Sequence, residues 1–306
     1  KNELKSGSKN AGLEKNERES KGTLTIKDDN GKDGSLTAEG GDGGGAGIGG
    51  KHESGAGNIE ITGGTINASS YDGSGIGSGG SAKGDTDIKI KNSNVTAKGF
   101  IDVRYVSHGT GIGSGLSSSG KTTIDISGGT VKATGSGDGY KGSAGIGSGS
   151  YSTGDTSITL RDGVTVTATG GGNSSLGGGG GAGIGGGKEG RGDVTIEGNT
   201  EVNAAGGAGG AGIGGGYVAK NNSNQITIKS NENGSPTVNA VGGSRDKTTK
   251  FGGAGIGAGG DSTATTDITL EGKVTINATA GKDNAAIGAN GIEQEFPGLA
   301  GGTSIT

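Results

Sequence analysis

The chain has 306 residues, of which 79 are glycine and 2 are proline, and 26% of its residues are apolar. Collagen is excluded because glycine does not recur at every third position, and the absence of cysteine excludes a disulfide framework or a thiolate metal site. The net charge of −4, without a long Lys/Arg cluster or a long apolar run, argues against a nucleic-acid partner and against membrane insertion.

The first segment, residues 1–21, is the most densely charged part of the chain. Its charges alternate in sign without a clear apolar face, which predicts a leader or linker, with a short N-terminal capping helix as the alternative. Residues 22–306 are predicted to form one repeat domain. At its start, the acidic turn DDNGKDG at 28–34 resembles a calcium loop, although it lacks the distant glutamate. Asp28, Asn30 and Asp33 are therefore candidates for a structural calcium site, and no other cofactor is predicted.

Beyond this turn, an isoleucine set among glycines returns at intervals of 28 to 43 residues. The central isoleucines are Ile48, Ile76, Ile112, Ile146, Ile184, Ile213, Ile256 and the degenerate Ile287. Self-similarity at such intervals predicts a solenoid with loop insertions.

Each repeat also contains two stretches with period-two alternation, such as Ile59-Glu60-Ile61 and Ile66-Asn67-Ala68. This alternation places aliphatic side chains inward and single polar residues outward. We therefore predict an all-β fold, a single-stranded parallel β-helix of about eight coils with three short strands each. The crossover rule favours a right-handed turn. An antiparallel sandwich is the alternative, but it does not account for the regular repetition.

Loop lengths indicate where function would lie. From each central isoleucine to the next strand the distance is 10 to 13 residues, whereas from the inward alanine to the next isoleucine it varies from 8 to 16. Variation is thus concentrated on one edge, and such an edge often carries the binding face of a solenoid. The glycines flanking each isoleucine are expected to face outward as a flat strip beside it.

Aromatic residues cluster around the same edge, within seven residues of a central isoleucine. Ring faces on loops beside a flat surface suit the C–H faces of a sugar. The predicted ligand-binding residues are Tyr71, Tyr105, Tyr140, Tyr151, Tyr217 and Phe251, with Arg104 and His108 as polar contacts. The alternative is that each tyrosine only pins its own loop.

The sequence shows no group of acid and base residues that would be expected to meet at one catalytic site. Inverting hydrolysis needs two carboxylates about 6.5–9.5 Å apart, and the adjacent pair Asp28 and Asp29 lies far in sequence from His108. We predict no catalytic residues, with a polysaccharide lyase or hydrolase as an alternative. Ice binding is another alternative, because outward positions carry ranks of Thr and Asn, although Lys132 and Glu201 interrupt them.

The repeat, AGIGGG…ITISGGTVxATG, resembles the Gly-rich β-helix repeats of clostridial and other Gram-positive cell-surface proteins, and is similar in style to polygalacturonate-binding β-helices. The resemblance covers residues 22–306. It implies a non-catalytic adhesin, secreted or attached to the cell wall, that binds a polysaccharide or host glycan. Further domains of the same surface protein are expected, since GTSIT at 302–306 repeats the start of a core strand. A structural spacer is the main alternative function.

Overall fold

The computed structural model describes residues 1–18, 21–28, 34–99, 108–138, 140–172, 179–219, 223–244, 251–288 and 303–305. Within these residues the chain forms parallel strands in two sheets, one of 16 strands and one of 9. Strands pair with the equivalent strands of the neighbouring coils. This stacking is that of a parallel β-helix, so the predicted fold class is confirmed. No helix in the described part of the chain has the length and apolar character of a membrane span.

The strands stack in three columns, named first, second and third in their order within the repeat. The first column contains β3 (Thr23–Lys27), β6 (Gly57–Thr62), the first part of β9 (Thr86–Gly99), the first part of β11 (Thr122–Thr134), β13 (Thr156–Arg161), β16 (Asp193–Glu197), β19 (Asn224–Lys229), β22 (Thr266–Glu271) and β25 (Thr303–Ile305). The second column contains β1 (Asn2–Lys5), β4 (Ser35–Glu39), β7 (Thr65–Ser70), the remainder of β9 and of β11, β14 (Thr165–Thr169), β17 (Glu201–Ala205), β20 (Thr237–Val241) and β23 (Thr275–Thr279). The third column contains β2 (Leu13–Glu14), β5 (Ile48–Gly49), β8 (Ser74–Gly77), β10 (Thr110–Gly113), β12 (Ile146–Gly147), β15 (Ile184–Gly185), β18 (Ile213–Gly214), β21 (Ile256–Gly257) and β24 (Ile287–Gly288).

Aliphatic side chains in register fill the interior between the columns. In the first column Ile124 pairs with Ile88, and in the second column Val131 pairs with Val95. The third column contributes isoleucines such as Ile112, and all five of these side chains are buried. The alternation read from the sequence therefore has the predicted physical cause, because successive residues of a strand point to opposite faces.

Two coils depart from the plan of three separate strands. Strands β9 and β11 have 14 and 13 residues and run through both the first and the second column. The residues expected to form a turn between the first and the second strand of the coil instead stay paired with the neighbouring coil, as Gly129 does with Ser93. The first two columns therefore join into one continuous sheet at these coils.

Residues 1–18 do not form the predicted leader, linker or capping helix. Asn2–Lys5 pairs in parallel with Ser35–Glu39, and Leu13–Glu14 pairs with Ile48–Gly49. The sequence AGLE at 11–14 is a degenerate copy of AGIG in which Leu13 takes the place of the isoleucine. The third column of the described chain consequently holds nine strands rather than eight, and the sheets extend across the expected boundary at residue 21.

The glycines beside each isoleucine do not form an outward strip, and that expectation is wrong. Gly145 and Gly147, which flank Ile146, are buried. A Cβ on Gly145 would lie 2.7 Å from the carbonyl oxygen of Gly183, and one on Gly147 would lie 1.9 Å from that of Gly185. Both oxygens belong to the next coil. Glycine recurs because neighbouring coils meet here backbone against backbone, with no room for a side chain.

Non-glycine residues supply a second set of special backbone conformations. The residue five positions after each of seven central isoleucines has a positive φ. These residues are Glu53, Ser81, Ser117, Tyr151, Glu189, Val218 and Asp261. The N–H groups of the first six donate to carbonyl oxygens of the next coil, as Ser117 does to Ser150 at 2.9 Å and Tyr151 to Lys188 at 2.8 Å. These bonds offset the cost of a left-handed conformation, which is roughly 1–2 kcal/mol per residue.

Replacing Gly147 by alanine tests the backbone packing of the third column. Gly147 has φ 136°, a region open only to glycine, and its Cβ would collide with the backbone of the next coil. We expect Gly147→Ala to lower the free energy of unfolding by at least about 2 kcal/mol, measured by urea denaturation. The matched control is Gly7→Ala, because Gly7 is exposed and its Cβ would meet no atom within 4 Å. Equal stabilities of the two variants would contradict the packing explanation.

Candidate functional site

The structure divides the predicted aromatic residues between two sets of loops. The loop edge is the set of loops from the second to the third column. Its described residues include 71–73, 135–138, 140–145, 242–244 and 251–255, and it carries Tyr71, Tyr140 and Phe251. The return loops run from the third column to the first. Their described residues include 148–155 and 215–219, and they carry Tyr151 and Tyr217. Tyr105 and Arg104 lie outside the described residues. The predicted set is therefore not a single row on one edge.

His108 lies within the loop edge as a bridge between three consecutive coils. Its Nδ1 is 3.4 Å from Oδ1 of Asp72 in the preceding coil, and its Nε2 is 3.4 Å from Oδ2 of Asp138 in the following coil. The backbone N–H of His108 also donates to Asp72 Oδ1 at 3.1 Å. Ser143 donates its hydroxyl to the carbonyl oxygen of His108. The residue is only 6% exposed, so it holds loops together from within, and its ring is not displayed as a surface contact for a ligand.

Asp138 shapes the loop that displays Tyr140. Its Oδ1 accepts the backbone N–H groups of Tyr140 and Lys141, each at 2.7 Å. Burial alone would raise the pKa of Asp138, but these N–H groups and the ring of His108 outweigh burial and hold the pKa below its ordinary value of 3.8. The carboxylate is thus held in its charged form by the loop that it organises.

Tyr140 is the exposed aromatic residue of this edge. Its side chain is 58% exposed, whereas Tyr71, Tyr151, Tyr217 and Phe251 are partly buried. The ring is displayed on a loop whose backbone N–H groups are bound by the partly buried carboxylate of Asp138. Such a ring is available for stacking on an apolar face of a ligand.

Tyr151 lies between two lysines from neighbouring loops. The Nζ of Lys188 is 5.1 Å from the ring centroid, and the Nζ of Lys141 is 5.8 Å from it. Both distances are within the range of cation–π attraction. Lys188 also donates to the Tyr151 hydroxyl at 2.9 Å. Lys141 follows Tyr140 directly in the sequence.

Tyr217 has a structural contact of its own. Its hydroxyl donates to Oδ2 of Asp261 in the next coil at 2.5 Å. This is the role of a residue that pins a loop, which was the alternative predicted for every tyrosine. Among the described aromatics, Tyr140 therefore fits the ligand-binding prediction best and Tyr217 fits it least.

The calcium candidates are placed only in part. Asp28 Oδ2 accepts the backbone N–H of Gly34, six residues further along the chain, at 3.2 Å. Asn30 and Asp33 lie outside the described residues. Across the ranges that the structure describes, no group of three or more His, Asp or Glu side chains is placed to hold a metal ion. A structural calcium at this turn stays a prediction.

The outward-facing asparagines of the second column form hydrogen bonds with one another. The side-chain amide of Asn239 donates to Asn203 Oδ1 and that of Asn277 donates to Asn239 Oδ1, each at 2.9 Å. These amides link three successive coils. This arrangement favours a role in stacking the coils over the ice-binding alternative.

Sequence reasoning missed the two aspartates that surround His108. Asp72 and His108 each lie four positions before a central isoleucine, so aligning the repeats at that offset would have paired them. Asp138 lies eight positions before Ile146, within an inserted segment, and no offset predicts its position.

Comparison with known families agrees with the fold. A family model described as Beta helix repeat matches residues 59–80, 88–116, 124–150 and 194–217. Each match starts at a first-column strand and ends just beyond the next third-column strand. No curated protein and no solved structure matches the chain. The matches support a parallel β-helix domain, and the clostridial origin stays a prediction.

Replacing Asp138 by asparagine tests the electrostatic role of the His108 bridge. Because the folded pKa of Asp138 lies below the unfolded value, its carboxylate contributes stability above about pH 4, and this stability is lost as the pH falls through the folded pKa. We expect Asp138→Asn to be less stable than the wild type by about 1 kcal/mol at pH 7, with the difference shrinking as the pH falls through the lowered pKa of Asp138. Urea unfolding at a series of pH values measures this. Asp267→Asn, at an exposed position of β22, is the control and should show no such trend.

Proposed function

We propose that this chain is a non-catalytic carbohydrate-binding module of a secreted or wall-attached bacterial surface protein, and that it binds a polysaccharide or host glycan at the loop edge. The observation that carries the proposal is the exposed ring of Tyr140 on a loop held by Asp138. The buried His108 bridge connects this loop to the two preceding coils, which supports it as a rigid platform.

The polar groups around Tyr140 suit a sugar chain. Lys141 and Lys188 supply donors beside the Tyr151 ring, and the Tyr151 hydroxyl is both a donor and an acceptor. Sugar rings combine apolar C–H faces with hydroxyl groups, so an exposed ring next to such polar groups matches their chemistry.

A structural spacer is the second candidate function, and a specific observation favours it. The contacts of Tyr217 with Asp261 and of Tyr151 with Lys188 are internal to the protein and hold neighbouring coils together. These contacts account for two of the five described aromatic residues as loop pins.

Pull-down of the purified chain on a panel of plant, microbial and mucin polysaccharides separates the candidates, with and without added calcium. Binding with no new reducing or unsaturated ends in the supernatant supports the proposed module. Failure to bind any polysaccharide would favour the spacer, and new chain ends would identify a lyase or hydrolase and contradict the non-catalytic assignment.

Substitutions of Tyr140 test the proposed contact on whichever polysaccharide is retained. We expect Tyr140→Ala to weaken binding about two- to tenfold, since an aromatic stacking contact contributes roughly 0.5–1.5 kcal/mol, whereas Tyr140→Phe keeps the ring and most of the affinity. Affinity electrophoresis in gels containing the polysaccharide measures both variants. Val241→Ala removes the other large apolar side chain that is exposed in the described chain. Val241 ends β20, three coils from Tyr140, and its replacement should leave binding unchanged. Unaltered binding by Tyr140→Ala would remove the proposed site.

A further inference from the structure

The ring of His108 has an aspartate carboxylate facing each of its two nitrogens. Asp72 Oδ1 lies 3.4 Å from Nδ1, and Asp138 Oδ2 lies 3.4 Å from Nε2. The residue is only 6% exposed, and Nε2 has no contact with solvent and no hydrogen bond to the described part of the chain. The bridge therefore contains a nitrogen that is withdrawn from water and lies beside a negative charge.

The charge of the ring decides whether both arms of this bridge are attractive. A neutral imidazole has one N–H donor, and its other nitrogen presents a lone pair. In either tautomer that lone pair would face a carboxylate, which is unfavourable away from water. An imidazolium has two N–H donors and a positive charge, so it attracts both Asp72 and Asp138. The geometry of the bridge thus fits the protonated ring, whereas a neutral ring satisfies only one of its two arms.

The other ionisable side chains of the loops packed on His108 have contacts elsewhere. The Nζ of Lys141 is 5.8 Å from the centroid of the Tyr151 ring. Tyr71 lines a cavity beside β1 and β4. Within the described residues, the two aspartates of the bridge are the charged groups at ion-pair distance from the ring.

Asp138 connects the charge of His108 to the position of Tyr140. Its Oδ1 accepts the backbone N–H groups of Tyr140 and Lys141, while its Oδ2 faces His108. Although burial raises it, the pKa of Asp138 lies below its ordinary value of 3.8 because of those N–H groups and the His108 ring. The carboxylate therefore stays charged across the range in which histidine side chains change charge. Loss of the proton on the ring would weaken the connection between this loop and the coil that carries His108.

We propose that His108 makes the loop edge sensitive to pH: the imidazolium holds the Asp138 loop in place, and loss of its proton loosens the loop and weakens glycan binding. This inference rests on the function proposed above, because it concerns the control of that same site. The second N–H is present at lower pH and absent at higher pH, so binding is stronger on the acidic side of the titration of the ring. His108 is thus a positioning residue and not a ligand contact.

The protonation of the ring and the order of the loop are measured first, on the whole chain without a ligand. The chain has two histidines, so long-range proton–nitrogen NMR spectra distinguish both rings, and His52→Gln assigns them. Between about pH 5 and 8 we expect His108 to change from two ring N–H groups to one. Over the same range the protection of the Tyr140 and Lys141 amides from hydrogen exchange, corrected for the intrinsic rate, should fall at least about fivefold. A ring that keeps one charge state across this range, or amide protection that does not follow the ring, would overturn the proposal.

Three variants locate the effect. His108→Gln places a neutral side chain in the bridge, so the protection of the two amides should stay at the alkaline wild-type level at every pH. Asp138→Asn should also remove the pH dependence, and it supplies the same test if His108→Gln does not fold. His52→Gln changes the other histidine and should retain the wild-type behaviour. Urea midpoints show which variants are folded. Persistence of the pH dependence in a folded His108→Gln, or its loss in His52→Gln, would contradict the assignment.

Affinity electrophoresis on a retained polysaccharide extends the test to binding. We expect the wild type to bind about fivefold more weakly at about pH 8 than at about pH 5.5, and His108→Gln to bind equally at both. Equal binding by the wild type at both pH values would overturn the control of binding. Failure of every polysaccharide to bind would contradict the function proposed above and not the pH-dependent loop, which the spectra decide.

Discussion

The close approach of backbone to backbone in the third column is the constraint on which the rest of the structure depends. A side chain on Gly147 would overlap the carbonyl oxygen of Gly185, so successive coils can stack there only through glycine. Ile146 between them is fully buried and supplies the core contact that holds this wall inward. A third-column strand of only two residues, one isoleucine and one glycine, thus provides both a core contact and a parallel pairing with the next coil.

This construction leaves the outer faces and loops to carry chemistry. The interior between the columns is filled mainly by aliphatic side chains. Polar groups connect coils both there, as buried Ser74 does by donating to the carbonyl oxygen of Gly113 at 2.7 Å, and on the outside of the coils. The His108 bridge, the Tyr217 contact with Asp261 and the Asn239 ladder each join one coil to the next. Any site on such a rod is therefore assembled from residues about one repeat apart in sequence, and its rigidity comes from the stacking beneath it.

The proposed glycan site and its proposed control by pH both depend on this principle. At the loop edge, a buried bridge and the turn at Asp138 present the Tyr140 ring to solvent, so recognition would rely on an apolar face. The same bridge places a titratable ring between two carboxylates of neighbouring coils, so the contacts that position the Tyr140 loop also connect it to the charge of His108.

The sequence by itself determined the solenoid, since regular returns of an isoleucine among glycines and the alternation in strands such as Ile59-Glu60-Ile61 depend only on local spacing. It also placed Tyr140 on the variable edge. It did not show that the flanking glycines are buried, because that follows from the position of the next coil's carbonyl oxygen. The bridge of His108 and the burial of its ring between two carboxylates were decided only by the tertiary structure, since both depend on which side chains the coil register and the loop insertions bring together across 30 or more residues.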